Sequence, residues 1–430
     1  MYDVVIIGAG PAGLSAAIAC REWDLHVLVI DEFPKPGGRL LGQLHQEPNG
    51  EWWNGIHETE LLLHKAKELN TVIQCGVSAH HIEKLADGFS IRTNEGSFSA
   101  RKLLIATGAA ETAAPIPGWT LPGVMSIGAA QVMTNVHRVR VGKKGIIVGV
   151  NVLSAAIARE LQLAGIELHS MALPAKNTIN AEHGHPKKVM EGLVRIAHLA
   201  PSFFIRFGSK FAKSSWIRNL AVTFYPKSGV KMWGMPIHIR KAVLQINGTT
   251  FYPKSGVKMW GMPIHIRKAV LQINGTDKVE SVTICNITAE GEPISGTEQE
   301  IKVDFVCIAG GLYPLTELAA VINCPFQYVE ELGGHVPIHN EQMETAISGL
   351  YVAGNITGIE SAKVARAQGH LAGLSIVHAS IQVDKIKYKI DEAIAEVKAV
   401  REAASIQFHP SIQAGREKIE QAFNKQKQAT

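Results

Sequence analysis

Short unbroken apolar runs alternate along this chain with stretches of helical spacing, and the two rhythms predict a β-α-β organisation. "YDVVIIGAGPAGLSAAIACREWDLHVLVIDE" (2–32) reads as strand, turn, helix, strand, with Val4–Ile7 a buried parallel strand and Leu14–Cys20 the start of a helix. "KKGIIVGVNVLSAAIARELQLAGIELHSM" (143–171) repeats the pattern, with a second strand ending at His169-Ser170. "RKLLIATGAAE" (102–112) is a buried strand, and "ISGLYVAGNITGIESAKVARAQGHLAGLSI" (347–376) is a strand followed by a helix. "RKAVLQINGTDKVESVTICNI" (267–287) predicts a hairpin at a sheet edge, turning at an Asn-Gly pair. Ile390, Ala393, Ile394, Val397 and Val400 repeat at helical spacing within 386–405, as a helix on its own core or one docking a partner. No uncharged apolar run reaches ~18 residues, so no helix is expected to span a membrane.

The first unit carries chemistry at its turn. Gly8, Gly10 and Gly13 have G-x-G-x-x-G spacing directly after the strand. The first permits the tight turn, the second lets backbone approach a pyrophosphate, and the third lets helix and strand pack closely. A diphosphate then sits at the helix N-terminus, where unpaired N–H groups and the dipole favour anions. Asp31, at the end of the second strand, is placed to accept hydrogen bonds from an adenosine ribose. A bound dinucleotide is expected.

Three further segments accompany that loop: the Gly-rich "FPKPGGRLLGQ" (33–43), the strand ending Ala106-Thr107-Gly108, and the strand ending Gly354-Asn355. Together they resemble the FAD-dependent pyridine nucleotide-disulfide oxidoreductase-like (thioredoxin reductase-like) superfamily over residues 1–378. The resemblance implies an α/β fold of two nested Rossmann-like, FAD/NAD(P)-binding domains with a helical C-terminal tail. It implies an FAD site built from Gly8, Gly10, Pro11, Ala12, Gly13, Asp31, Glu32, Gly38, Arg39, Gln43, Val77 (backbone to adenine), Ala106, Thr107, Gly108, Gly354 and Asn355. Asn355 stands where that superfamily has aspartate, so one ribitol contact is altered. The FAD domain is expected over 1–110 and 310–378, an inserted NAD(P)-binding-like domain over 111–309, and the tail over 379–430.

The second loop departs from the pattern. It reads Gly149-Val150-Asn151-Val152-Leu153-Ser154, keeping only the first glycine. His169-Ser170 supplies neither an acid for an NAD ribose nor an adjacent Arg for an NADP phosphate. The fold is expected there; a productive NAD(P) site is not. The redox cysteine pair of disulfide reductases is also missing. Cys20, Cys75, Cys285, Cys307 and Cys324 are scattered without CxxC or zinc spacing, as buried thiols of a reducing cytoplasm.

"PGWTLPGVM…GAAQ" within 105–133, "DEFPKPGG", "VKMWGMPI" and "GIESAKVARAQGHLAG" narrow the resemblance. They look like the FAD subunits of amine and imino-acid dehydrogenase complexes: opine oxidase, hydrogen cyanide synthase, proline and hydroxyproline dehydrogenases, and sarcosine oxidase alpha. That implies an electron-transferring FAD protein within a complex, a D-amino acid oxidase-like partner, and an iron–sulfur centre on another, small subunit. The alternatives are a stand-alone NAD(P)H-dependent flavin reductase and a non-catalytic assembly subunit. No catalytic acid or base is identifiable. Trp52-Trp53 reads as packing or as the lining of an opening to the flavin. The basic, aromatic stretch 194–213 reads as an amphipathic core helix. His183 and His185 lack a third ligand, so no metal site is expected.

Composition changes the picture at one point. Apolar residues are 46% and charged residues 19%, ordinary for a globular protein, and the net charge of +5 invites an acidic partner. However, residues 223–249 recur without change at 250–276, and each copy holds four basic residues and no acid. Without one copy, 39 basic residues (43 less four) face 38 acidic ones. The basicity is mostly the duplication, and no nucleic-acid partner is inferred. Two identical copies read as a tandem insertion, with the second running into the strand pattern at 267–287. The chain opens on a strand pattern with no leader pattern before it, so a cytoplasmic location is expected.

Overall fold

The first apolar run becomes β1 (Tyr2–Ile7), which leads into α1 (Pro11–Arg21) and β2 (Val27–Asp31). This is a computed structural model, and it describes residues 1–47, 50–178, 184–189, 258–259, 261–404 and 407–429. Strand side chains alternate between faces, and here both faces are covered. Val4, Ile6, Val27 and Val29 enter one core with α1, whereas Val5, Ile7, Leu28 and Ile30 enter another. Burial on both faces is why these runs are unbroken rather than alternating. β1 pairs in parallel with β2, Ile7 against Ile30, and on its other side with β3 (Gly96–Ile105). The seven-stranded sheet runs Val72–Cys75, β2, β1, β3, Gly88–Thr93, Ala79–Leu85, with Leu350–Val352 also parallel to β3.

The second sheet is built on the same plan from β4 (Lys144–Val148), α2 (Val152–Leu163) and β5 (Glu167–Pro174). β5 runs past the expected end at His169-Ser170, because Met171, Ala172 and Leu173 are buried and pair with β6 (Met262–Asn274). β6 turns into antiparallel β7 (Ser281–Asn286). β8 (Phe305–Ile308) lies parallel to β4. The order is Val124–Ser126, β8, β4, β5, β6, β7, Gln299–Lys302, so both strands of the hairpin expected at an edge lie inside the sheet. β6 comes from the second copy of the duplicated segment. The first copy, the stretch 194–213 and His183 lie outside the described residues.

The chain then returns to the first sheet and ends in α3 (Ala362–Ile381), α4 (Asp384–Glu402) and α5 (Ile412–Ala429). A Cβ on Gly369 would run into the Ala12 carbonyl and one on Gly373 into that of Ala16, so glycine lets α3 lie backbone-close on α1. α4 buries Ile386, Ile390, Ala393 and Val397 in the α1 core. The stripe expected over 386–405 therefore packs on its own chain. Ile412 and Ile419 of α5 pack with Val329, Leu332 and Val336. By contacts the chain divides into one unit of residues 1–110 with 312–430 and another of 111–311. The helical tail expected over 379–430 groups with the first.

Candidate functional site

β1 delivers the chain to Gly8 at φ +109°, a left-handed conformation in which a Cβ would strike the Ala106 carbonyl. At Gly13 a Cβ would run into the Gly8 carbonyl. A Cβ at Gly10 would meet nothing within 4 Å, so the third side of the turn is open. Pro11 occupies the first turn of α1 and no side chain caps it. Its leading N–H groups therefore face outward, the arrangement that takes a phosphate. The Gly-rich loop folds over this opening: the Gly37 N–H donates to Ala9 O at 2.8 Å, and a Cβ on Gly38 would sit 3.3 Å from Gly10 Cα.

The half-buried Asp31 carboxylate closes the loop from the side, accepting from Ala9 N at 2.6 Å and Phe33 N at 2.8 Å. Each oxygen keeps a second lone pair for a ribose hydroxyl. The Val77 N–H donates to Asp31 O at 2.9 Å, which brings that backbone to the same edge. Thr107 Oγ1 donates to Leu315 O at 2.6 Å, and Gly108, at φ +79°, has open space where a side chain would be. A Cβ on Gly354 would lie 3.0 Å from the Ala12 Cβ, so the late strand ends beside the start of α1. Asn355 Oδ1 accepts from Glu360 N at 3.2 Å. Glu32 is exposed. Arg39 donates from Nε to Ala109 O at 2.9 Å, and Gln43 Oε1 accepts from Trp53 Nε1 at 3.2 Å.

Sequence reasoning missed the brace behind Gly354. Gln368, 1% exposed on α3, accepts from Gly354 N at 3.0 Å and from Thr357 Oγ1 at 3.3 Å. The signal was a lone amide in the small, apolar run "ARAQGHLAG". Glu360, before the Ser361 cap of α3, bonds Arg401 of α4 at 2.6 Å and Arg416 of α5. Burial alone would raise the Glu360 pKa; the two guanidiniums outweigh it and hold the carboxyl below the usual carboxylate range. These partners lie 41 and 56 residues away, and no local pattern announces them.

The second loop begins identically. Gly149 sits at φ +115°, where a Cβ would strike the Ala309 carbonyl. It ends differently. Asn151 Oδ1 accepts from Ser154 N at 2.8 Å, Ser154 Oγ accepts from Asn151 N at 2.9 Å, and Asn151 Nδ2 donates to Ala309 O at 3.2 Å. This capping box uses the N–H groups that a phosphate would need. Gly8 N donates to Ile30 O and Gly149 N to Ala172 O, each at 2.8 Å, so the counterpart of Asp31 is Leu173, a fully buried core residue. Position 173, not 169–170, holds the ribose place, and it has no acid.

All five cysteines are free and four are buried. Burial pushes the Cys20 and Cys307 thiols far up, and that of Cys324 up to about 11. Among the described residues no cluster suits a metal ion, and no helix is long and apolar enough to cross a membrane.

The sequence profile of the pyridine nucleotide-disulphide oxidoreductase family matches residues 2–191 and 254–369, passing over the first duplicated copy. An opine oxidase subunit of Rhizobium meliloti (strain 1021) is 26% identical over 88% of this chain and 71% of its own length. The hydrogen cyanide synthase protein HcnB of Pseudomonas aeruginosa, also named as one subunit of its enzyme, is 23% identical over 87% of this chain and 70% of its own. Among solved structures, L-proline dehydrogenase from P. horikoshii superposes with a TM-score of 0.59 at 20% identity, over 91% of this chain and 58% of that one. T. acidophilum thioredoxin reductase gives 0.57 at 19% identity, over 88% and 99%. At these identities the structures show the fold.

Proposed function

The chain belongs to the pyridine nucleotide-disulphide oxidoreductase family, and from that premise we propose that it is the electron-transferring FAD subunit of a multi-subunit amine or imino-acid dehydrogenase. An FAD-dependent oxidoreductase needs one open dinucleotide cradle, and the loop Gly8–Gly13 with Asp31 fits it. The observation that carries the finer reading is the capping box at Asn151 and Ser154. It leaves the second loop without a phosphate cradle, and Leu173 leaves it without a ribose acid. Electrons then come from a partner's substrate rather than from NAD(P)H. The scattered, unpaired cysteines, four of the five buried, argue against disulfide reduction.

Bound FAD supplies reversible two-electron chemistry. This chain's residues bind and orient it: the N–H groups of α1 take the diphosphate, Asp31 the ribose, and the turn Gly354–Thr357, held by Gln368, the ribitol side. The N-terminus of α3, which follows that turn, would favour negative charge on a group held there. The relatives named as subunits support an assembly; in this reading its other members are a D-amino acid oxidase-like partner and a small iron–sulfur protein, in the cytoplasm. The test is co-expression with such partners and anaerobic dye reduction with proline, hydroxyproline, sarcosine and glycine. A stand-alone NAD(P)H-dependent flavin reductase predicts rapid bleaching of the isolated chain by NADPH, and a non-catalytic assembly subunit predicts purified protein without stoichiometric flavin.

A further inference from the structure

Trp52 and Trp53 lie in a short hairpin, Leu44–Gln46 against Trp52–Asn54, that continues the Gly-rich loop. The Gly55 N–H donates to Gln43 O at 2.9 Å, and a Cβ on Gly55 would strike the Leu40 carbonyl. The hairpin therefore returns backbone-close onto that loop. Four side chains meet beside it. His45 Nε2 lies 3.5 Å from Glu47 Oε1, and Lys363 Nζ lies 2.8 Å from the same oxygen. The Trp53 ring stacks with His45, centroids 6.1 Å apart, and has the Lys363 ammonium 4.9 Å from its centroid. Its indole N–H goes to Gln43. Lys363 stands in the first turn of α3, just after the Gly354 turn. The cluster is thus bounded by two segments that the FAD reading uses, at the end of the cradle away from Asp31.

Its charges are arranged in a definite order. Burial by itself raises the Glu47 pKa; the Lys363 ammonium outweighs it and holds the carboxyl below the usual carboxylate range. At His45 burial, with Lys363 adding to it, outweighs Glu47 and holds the imidazole below its ordinary value, about 6.5. The ring is therefore neutral near pH 7. A carboxylate facing one ring nitrogen keeps the proton there, so Nε2–H points to Glu47. Nδ1 has no hydrogen-bond partner among the described residues and keeps its lone pair. Glu51, across the hairpin, is exposed, and Glu58 on the following helix is taken by Arg366 at 3.8 Å. Glu47 and Lys363 are the charges that His45 faces. A half-buried imidazole with a carboxylate on one nitrogen and a free lone pair on the other is built to accept a proton.

We propose that His45, oriented by Glu47, takes up a proton when the flavin held in this cradle is reduced. Two electrons and one proton pass to the cofactor from the donor, and a second proton, from solvent, forms the Nδ1–H bond. The imidazolium offsets the charge that has arrived, and Glu47 stabilises it. This inference rests on the FAD site proposed above and not on the identity of the electron donor.

The test is the flavin midpoint potential of the full chain across the histidine range, about pH 5.5–8.5, read by absorbance during anaerobic reduction with dithionite. Where His45 takes a proton, the reduction constant falls a hundredfold per pH unit, about 60 mV; with the cofactor proton alone it falls tenfold, about 30 mV. The unsubstituted chain is expected to show a window of the steeper slope opening below about pH 6.5. His45→Gln is expected to show the shallower slope throughout, with flavin content unchanged. Glu47→Gln, which keeps the imidazole and removes its carboxylate, moves the window to lower pH, and it decides alone if His45→Gln loses its flavin. A profile without the steeper window, a window that survives His45→Gln, or one that Glu47→Gln leaves unmoved overturns the assignment. Dithionite replaces any partner's substrate, so this profile and dye reduction by amines fail separately.

Discussion

In the first unit Gly8 N donates to Ile30 O, and in the second Gly149 N donates to Ala172 O, each over 2.8 Å. Each glycine is left-handed, and each lies against an alanine carbonyl, Ala106 or Ala309. Two residues further on, the loops diverge. Gly10 has no Cβ and open space where one would stand, whereas Asn151 turns its side chain back onto Ser154 and caps its own helix. The same backbone is thus open in one unit and a self-satisfied helix start in the other. A strand-turn-helix backbone specifies the fold, and in the proposed reading side chains at three positions decide whether it binds.

The sharpest way to break this contrast is to move the cap. Gly10 has φ −76° and ψ −175°, which any residue adopts, and has room for a side chain. Gly10→Asn is expected to fold and to lower FAD affinity on the order of a hundredfold, the loss of about two charge-assisted N–H contacts. Bound flavin per chain, read by absorbance after gel filtration, checks this. Full flavin retention would separate the open turn from FAD binding.

Next in size is the brace. Glu360→Ala leaves Arg401 and Arg416 buried without their carboxylate and is expected to cost about 3–5 kcal/mol in denaturant unfolding. The pH dependence follows from the depressed folded pKa of Glu360. Its contribution is present above the ordinary carboxylate value, about 4.3, and is lost as pH falls through the lower folded value. Glu360→Gln should flatten that acid limb of the stability profile.

A smaller effect comes from the second loop. Asn151→Ala removes the cap and is expected to cost about 1 kcal/mol, with flavin content unchanged; a loss of flavin there would tie the second loop to the first cradle. Smallest of all, deleting residues 224–250 should leave FAD retention and solubility as they were, since β6 comes from the second copy.

The sheets were legible because doubly buried strands must be continuous apolar runs, and β1, β2 and β4 are. The open turn was legible because it is carried by missing side chains, and glycine spacing is local. The end of β5 was not, because its last residues are strand through pairing with β6, from far along the chain. The apolar pattern alone therefore points to His169-Ser170, where Leu173 holds the place. Gln368 was hidden as a single amide, and the Glu360–Arg401–Arg416 cluster by sequence separation.

The central claim is that this chain holds FAD in its first loop and takes no electrons through its second. Anaerobic titration of the purified flavin-containing chain with NADPH and NADH tests it most directly. The flavin absorbance is expected to persist with either nucleotide and to bleach only when an amine-oxidising partner and its substrate are added. Bleaching of the isolated chain by NADPH or NADH at catalytic rates would contradict it.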